Sequence, residues 1–311
     1  MGPCRLPWMG RPLWASLLGL LVLLVAVTVC ASIYCRERLA AIAYVERSGG
    51  NVSLSRAPGW CPRWKPVLVL VQSVEQVELI AQSSDDFDRI RPLAETRWLT
   101  LRGARADDAL LAGINRLQRL ENLYFRDSEV TDTGMSHLRD CRRLHTLDLT
   151  GTKITDAGLK PLAGLPIDGL CLNGLAITDC GLKYLKGLPL QTLFLGQTRV
   201  SDDGLRELSG MPLTYMSLSH TGISDAGLKH LAGVPLREFD LQGTAINDVG
   251  IAEVARWPLE RLHLRDTQIS PSALPALNGM KTLHYLELSN PPITRADISA
   301  FSWPNVDVTL D

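Results

Sequence analysis

Six aspartates recur at nearly constant spacing: Asp132, Asp156, Asp179, Asp202, Asp225 and Asp248, each directly behind a threonine, serine or asparagine. If the chain stacks them about 5 Å apart, such a row of carboxylates could collect cations. The same pairs could instead cap helices, because apolar residues three apart follow them, as in Leu159 with Leu162 and Leu228 with Leu231. A side-chain oxygen at the cap accepts a hydrogen bond from a free N–H of the first turn, worth about 1 kcal/mol. The carboxylate also faces the positive end of the helix, adding ~0.3–1 kcal/mol. Which residue of each pair is the cap stays open. A calcium-binding repeat would need glycine-rich nonapeptides, which the chain lacks, so the aspartates are expected to be structural helix caps. Among the histidines, only His263 is expected beside two carboxylates, Asp240 and Glu287, in what could be a metal or acid–base trio. Neighbouring strands hold such side chains loosely at a surface, so a solvated polar patch is expected. The seven cysteines form no CxxC pair and read as small core thiols. HExxH, GxSxG, P-loop and dinucleotide motifs are absent. No catalysis, metal or cofactor is expected.

The elements that must position these residues follow from a repeat. Units begin at Thr96, Leu120, Leu144, Ile167, Leu190, Leu213, Leu236, Leu259 and Leu283, in steps of 23 or 24 residues. Positions 4 and 6 of each unit are apolar, as in Leu147 and Leu149 or Phe239 and Leu241, the alternation of a short strand with one buried face. Positions 16 and 19 are apolar at helical spacing, so the period switches within each unit. A unit this small cannot bury its own leucines. Stacked copies can, with nine parallel strands extending about 38 Å along the inner side of an arc. Glycine at position 15, as in Gly158 and Gly181, marks a close approach between stacked units, and a Gly-x-Pro ending such as Gly164 to Pro166 stops the helix.

LxxLxL followed by T-x-I-T/S-D-x-G-L-x-x-L resembles the leucine-rich repeat family, in particular the cysteine-containing type found beside F-box domains. The resemblance covers roughly residues 67 to 311. It departs at position 9, where Thr152, Thr198, Thr221, Thr244 and Thr267 replace the usual asparagine or cysteine. Their hydroxyls are expected to bond turn backbone between neighbouring units. No F-box-like helical segment precedes the array, so a ubiquitin-ligase role does not carry over. The resemblance implies an α/β, right-handed leucine-rich-repeat solenoid, with parallel strands on a concave face, short helices on the convex face and a protein or peptide partner.

Positions 3, 5 and 7 should point out of the sheet. There the first strands gather Trp98, Arg102, Tyr124 and Arg126, the aromatic and arginine mixture of binding hot spots. Phe194 and Tyr215 stand among small residues further along and should form an apolar patch. The competing reading is that Arg102 pairs with nearby carboxylates and that the early cluster covers the first strands beneath a cap.

A formal net charge of −1 removes the bulk electrostatic case for nucleic acid, and 46% hydrophobic residues argue against disorder. Leu13 to Ile33 is an uncharged run of 21 residues. As a helix it reaches about 31 Å, the thickness of a bilayer core. Arg5 and Arg11 precede it, and Arg36 and Arg38 follow with Glu37 between them. The positive-inside rule then leans towards a single-pass anchor with a cytoplasmic amino terminus and exported repeats. Its rival is a cleaved signal ending at "VCA" (29–31), giving a secreted or envelope structural or effector protein, although signal apolar regions are usually about 7–15 residues. The expected organisation is a tail at 1–12, a transmembrane helix at 13–33, a juxtamembrane helix and cap at 34–66, and the solenoid at 67–311. A strand is expected at 64–71, a degenerate first unit at Val77 and Leu79, and closure of the last sheet edge by 303–311.

Overall fold

A computed structural model describes the backbone of residues 13–55, 73–103, 105–289 and 292–310, and their side chains from residue 22 onward. The expected tail at 1–12 and strand at 64–71 lie outside the described residues.

The predicted alternation produces β3 (Trp98–Arg102), β4 (Asn122–Arg126), β5 (Thr146–Asp148), β6 (Gly169–Cys171), β7 (Thr192–Phe194), β8 (Tyr215–Ser217), β9 (Glu238–Asp240), β10 (Arg261–His263) and β11 (Tyr285–Leu288). Before them come β1 (Asn51–Leu54) and β2 (Val74–Ile80), and after them β12 (Asp307–Leu310). Among the described residues these twelve form one sheet in chain order. All neighbours pair in parallel except β1 with β2. The degenerate unit is real, with Val77 beside Leu99 and Leu79 beside Leu101. Strand β12 closes the far edge, as 303–311 was expected to do.

Leu147, Leu149, Leu193, Leu195, Met216, Leu218, Phe239 and Leu241 are all fully buried at positions 4 and 6. Behind the sheet each unit turns through one or two helical turns, such as Asp156–Leu159 followed by Lys160–Leu162. Leu159, Leu162, Leu228 and Leu231 close the core from that side. Full burial of a leucine is worth about 1.5–3 kcal/mol, and these leucines are buried by neighbouring units as much as by their own.

At the amino-terminal end, α1 (Leu13–Arg47) is one continuous helix. It therefore has no break between the apolar run and the expected juxtamembrane helix. Cys35, Ala41, Ile42 and Val45 are buried and cap the first units. Arg38, only 2% exposed, meets Glu95 at 2.5 Å. The Tyr44 hydroxyl donates to the buried Asp86 at 2.5 Å, and Asp86 also accepts from the Gln82 amide at 2.7 Å. Burial first, and then the Asp86 carboxylate, push the Tyr44 phenol up to about 12. Among the described residues no helix is long and apolar enough to cross a membrane. The first nine residues of the apolar run have side chains outside the description. Its other half, including Leu23, Val27 and Ile33, is exposed.

Candidate functional site

In-register pairing is what makes a surface of this sheet. Because every residue sits beside its equivalent in the next unit, positions 3, 5 and 7 become rows, as the sequence implies: Trp98 beside Asn122, Thr100 beside Tyr124, Arg102 beside Arg126. The register is held from behind by the aspartates, in a manner that corrects the expected role. Asp132, Asp156, Asp179, Asp202, Asp225 and Asp248 do not cap their own helices. In three units the cap is the residue before: the Thr178, Ser224 and Asn247 side chains accept from the amides of Cys180, Ala226 and Val249, whereas Thr155 holds the same place without a side-chain cap bond. The carboxylate reaches forward to the next unit. Asp156 accepts from the Thr178 amide at 2.8 Å and hydroxyl at 2.6 Å, and Asp179 accepts from the Ser201 amide at 2.8 Å and hydroxyl at 2.6 Å. Asp132 binds Thr155 in the same way, Asp202 binds Ser224, Asp248 binds Ser270, and Asp225 takes the Asn247 amide. Asp108, which the sequence reading missed, starts the ladder on Thr131; its spacing of 24 residues from Asp132 was the available signal.

Glycine at position 15 makes room for this bond. A Cβ on Gly181 would lie 2.4 Å from the Asp156 carboxylate, and one on Gly204 would lie 2.3 Å from that of Asp179. The close approach expected there is thus mainly to a side chain of the preceding unit. The threonines at position 9 also differ from expectation. Thr198, Thr221 and Thr244 donate to the carbonyls of Leu195, Leu218 and Leu241 in their own unit, at 2.5–2.6 Å. They pin the turn after each strand and do not bridge units.

On the exposed face, the Trp98 and Tyr124 rings lie 6.3 Å apart, with Trp98 46% exposed. Burial, and secondarily Asp148, raise the Tyr124 phenol above its ordinary value. Arg102 and Arg126 separate in role. Arg102 pairs with Glu78 at 3.0 Å on the degenerate unit, in keeping with the competing reading that it meets a nearby carboxylate. Arg126 is exposed and meets no carboxylate among the described residues. The early cluster thus holds one committed arginine and one available.

Phe194 and Tyr215 pack against each other at 4.7 Å, both half-buried. Burial pushes the Tyr215 phenol up to about 12, helped by Glu238 and Asp240 and opposed by Arg261. Between the two aromatic clusters the rows hold Thr146, Gly169, Cys171 and Thr192, with Asp148 beside Cys171. The sheet therefore carries a shallow floor of small side chains with an aromatic pair at each end. Burial raises the Cys171 thiol, whose sulfur lies 3.2 Å from the Thr150 hydroxyl.

The far end of the face is charge-paired. His263 Nδ1 lies 2.6 Å from Glu287, and its Nε2 lies 3.5 Å from Glu238. Arg265 shares Glu287 at 3.3 Å, and Arg261 shares Glu238 at 3.3 Å while covering the Tyr285 ring. Asp240 instead accepts from the Ser217 hydroxyl at 2.7 Å. The trio of His263, Asp240 and Glu287 is therefore not assembled; Glu238 takes the place of Asp240. Among the described residues no group of histidine, cysteine and carboxylates could hold a metal ion.

A family model described as "Leucine Rich repeat" matches residues 140–163 and 211–232. Among solved structures, an internalin (InlF) from Listeria monocytogenes str. 4b F2365 is similar with a TM-score of 0.51 and 18% identity, over 76% of this chain and 79% of that one. An internalin C2 (InlC2) from the same strain gives a TM-score of 0.46 and 25% identity, over 67% of this chain and 84% of that one. No curated relative matches. Two stretches of the chain thus match the leucine-rich-repeat model, and the likeness to InlF agrees with the twelve-stranded, in-register sheet of a solenoid-like α/β fold.

Proposed function

We propose that the chain is a non-catalytic interaction module, binding a protein or peptide partner on the exposed sheet face and held at a membrane through residues 13–33. The observation that carries the binding site is the cluster of Trp98, Tyr124 and Arg126: a half-exposed indole, a phenol ring tilted against it and a guanidinium that meets no carboxylate among the described residues. Arginine and large aromatics make the most of each contact, through bidentate hydrogen bonds and wide apolar area. Phe194 and Tyr215 extend the site across the floor of small residues. Arg102 lies beside Arg126 in the same row and is engaged by Glu78. What supports membrane attachment is the long uncharged run of residues 13–33, whose described half projects from the array with its apolar side chains exposed. The arginine bias places the amino terminus in the cytoplasm and the repeats across the membrane.

The test uses the full chain as bait beside two variants. Trp98→Ala with Arg126→Ala should lower capture of a bound protein at least tenfold at an unchanged unfolding midpoint. Arg206→Ala, on the helical side, should leave the same protein bound. If both variants retain it equally, the sheet face is not the binding site.

A further inference from the structure

We infer that the arginines at the base of α1 form a binding site for the phosphate of an anionic phospholipid headgroup. This rests on the membrane reading of residues 13–33. Tyr34 is the first residue after the apolar run, and it lines a groove of about 720 Å³ together with Arg91, Arg116, Arg119, Asn115 and Gln118. The groove lies between α1 and the loops that lead into β3 and β4. Its two nearby carboxylates are already engaged: Glu95 by Arg38 at 2.5 Å, and Asp88 by Arg116 at 3.0 Å. Arg91 and Arg119 are exposed, and neither meets a carboxylate among the described residues. Two available guanidiniums beside two side-chain amides match a phosphate, which arginine can grip with paired N–H donors.

Position selects the source of that phosphate. Because α1 is continuous from Leu13 to Arg47 and its second half is buried in the cap, the apolar half leaves the array in a fixed direction. Val25, Val29 and Ile33 are exposed on that stem, and the groove opens at its foot. With the stem in a bilayer, the foot lies at headgroup level, where arginines can reach a lipid phosphate. A free phosphate would need none of this stem.

The full chain in detergent micelles should be titrated by calorimetry with dihexanoyl phosphatidylglycerol, dihexanoyl phosphatidylcholine and inorganic phosphate. Phosphatidylglycerol should bind at least tenfold more tightly than phosphatidylcholine. Arg91→Gln with Arg119→Gln should erase that margin, and Arg256→Gln, at the other end of the array, should preserve it. Arg119→Lys keeps the charge but loses the paired donors, and should fall between. Inorganic phosphate binding as tightly as phosphatidylglycerol would overturn the lipid assignment. A margin unchanged in the double variant would overturn the residues. Release of the full chain from membranes by alkaline carbonate, with the margin intact, would remove the anchor and leave the headgroup site standing.

Discussion

The aspartate ladder gives the sharpest test of how the units are held together, because it predicts that one substitution rescues another. Asp179 accepts two hydrogen bonds from Ser201 of the next unit, at 2.8 and 2.6 Å. Bonds to a charged acceptor contribute about 1.5–3 kcal/mol each when both partners are shielded. This site is half-buried, so about 2–4 kcal/mol is expected for Asp179→Ala, above the ~0.5–2 kcal/mol of a simple cap. Gly204→Ala should also destabilise, by about 1–3 kcal/mol, since its Cβ would lie 2.3 Å from the same carboxylate. With Asp179→Ala already present, most of that obstruction is gone, and alanine should recover part of its ~1 kcal/mol helical advantage over glycine. Urea unfolding followed by circular dichroism would measure all four proteins, with a constant m-value as the check that the transition has not split. Equal costs for Gly204→Ala in the two backgrounds would refute the mechanism. So would an Asp179 and Ser201 double-mutant cycle with coupling within the ~0.3–0.5 kcal/mol of additive pairs.

Two further predictions concern the amino-terminal end. Arg38→Ala should cost about 3–5 kcal/mol, because it removes a buried guanidinium from its salt bridge with Glu95; differential scanning calorimetry of the full chain would show it as an early transition. At Asp108, burial raises the carboxyl, but the hydroxyls and amides of Thr131, Thr133 and Gly134 outweigh it and hold the carboxyl below its ordinary value. Its stabilising contribution is therefore complete above the unfolded value near ~4 and is lost as pH falls through the folded one. Asp108→Asn should flatten the loss of stability on acidification below about pH 4, and an unchanged acid limb would contradict this.

Much of the fold could be read directly from the chain, because stacking turns a sequence period into a spatial one. The interval of 23 or 24 residues fixes which positions are neighbours, and the in-register pairs of β3 to β11 follow from it without further information. The short elements at the two ends were less legible for a physical reason: they have one neighbour each and no period to repeat. The antiparallel β1 has no repeat equivalent, and α1 buries Arg38, a residue that composition alone would leave in water. The aspartates show a different limit. Their spacing identified them, but a residue beside a helix start can bond within its own unit or to the next. The sequence holds both partners at fixed distance along the chain, so only the three-dimensional step between units decides.

The same limit governs the candidate site. Rows of side chains are predictable; the partner each side chain chooses across a row is not. Arg102 and Arg126 are adjacent and chemically identical, yet one is joined to Glu78 and the other has no carboxylate. The strand before β3 places Glu78 in row 5, within reach of Arg102, whereas the strand before β4 places Thr100 in that row. At the far end, Glu238 and Glu287 stand in the rows of His263 and Arg261 and neutralise them. Among the described residues the ion pairs of this face lie towards its two ends, and Arg126 joins none of them. An exposed ion pair such as Arg102 with Glu78 contributes about 0–1 kcal/mol to stability, whereas Arg126 has no such pair among the described residues for a partner carboxylate to displace. That local asymmetry, beside the exposed Trp98 ring, is the physical ground for placing recognition on the first strands.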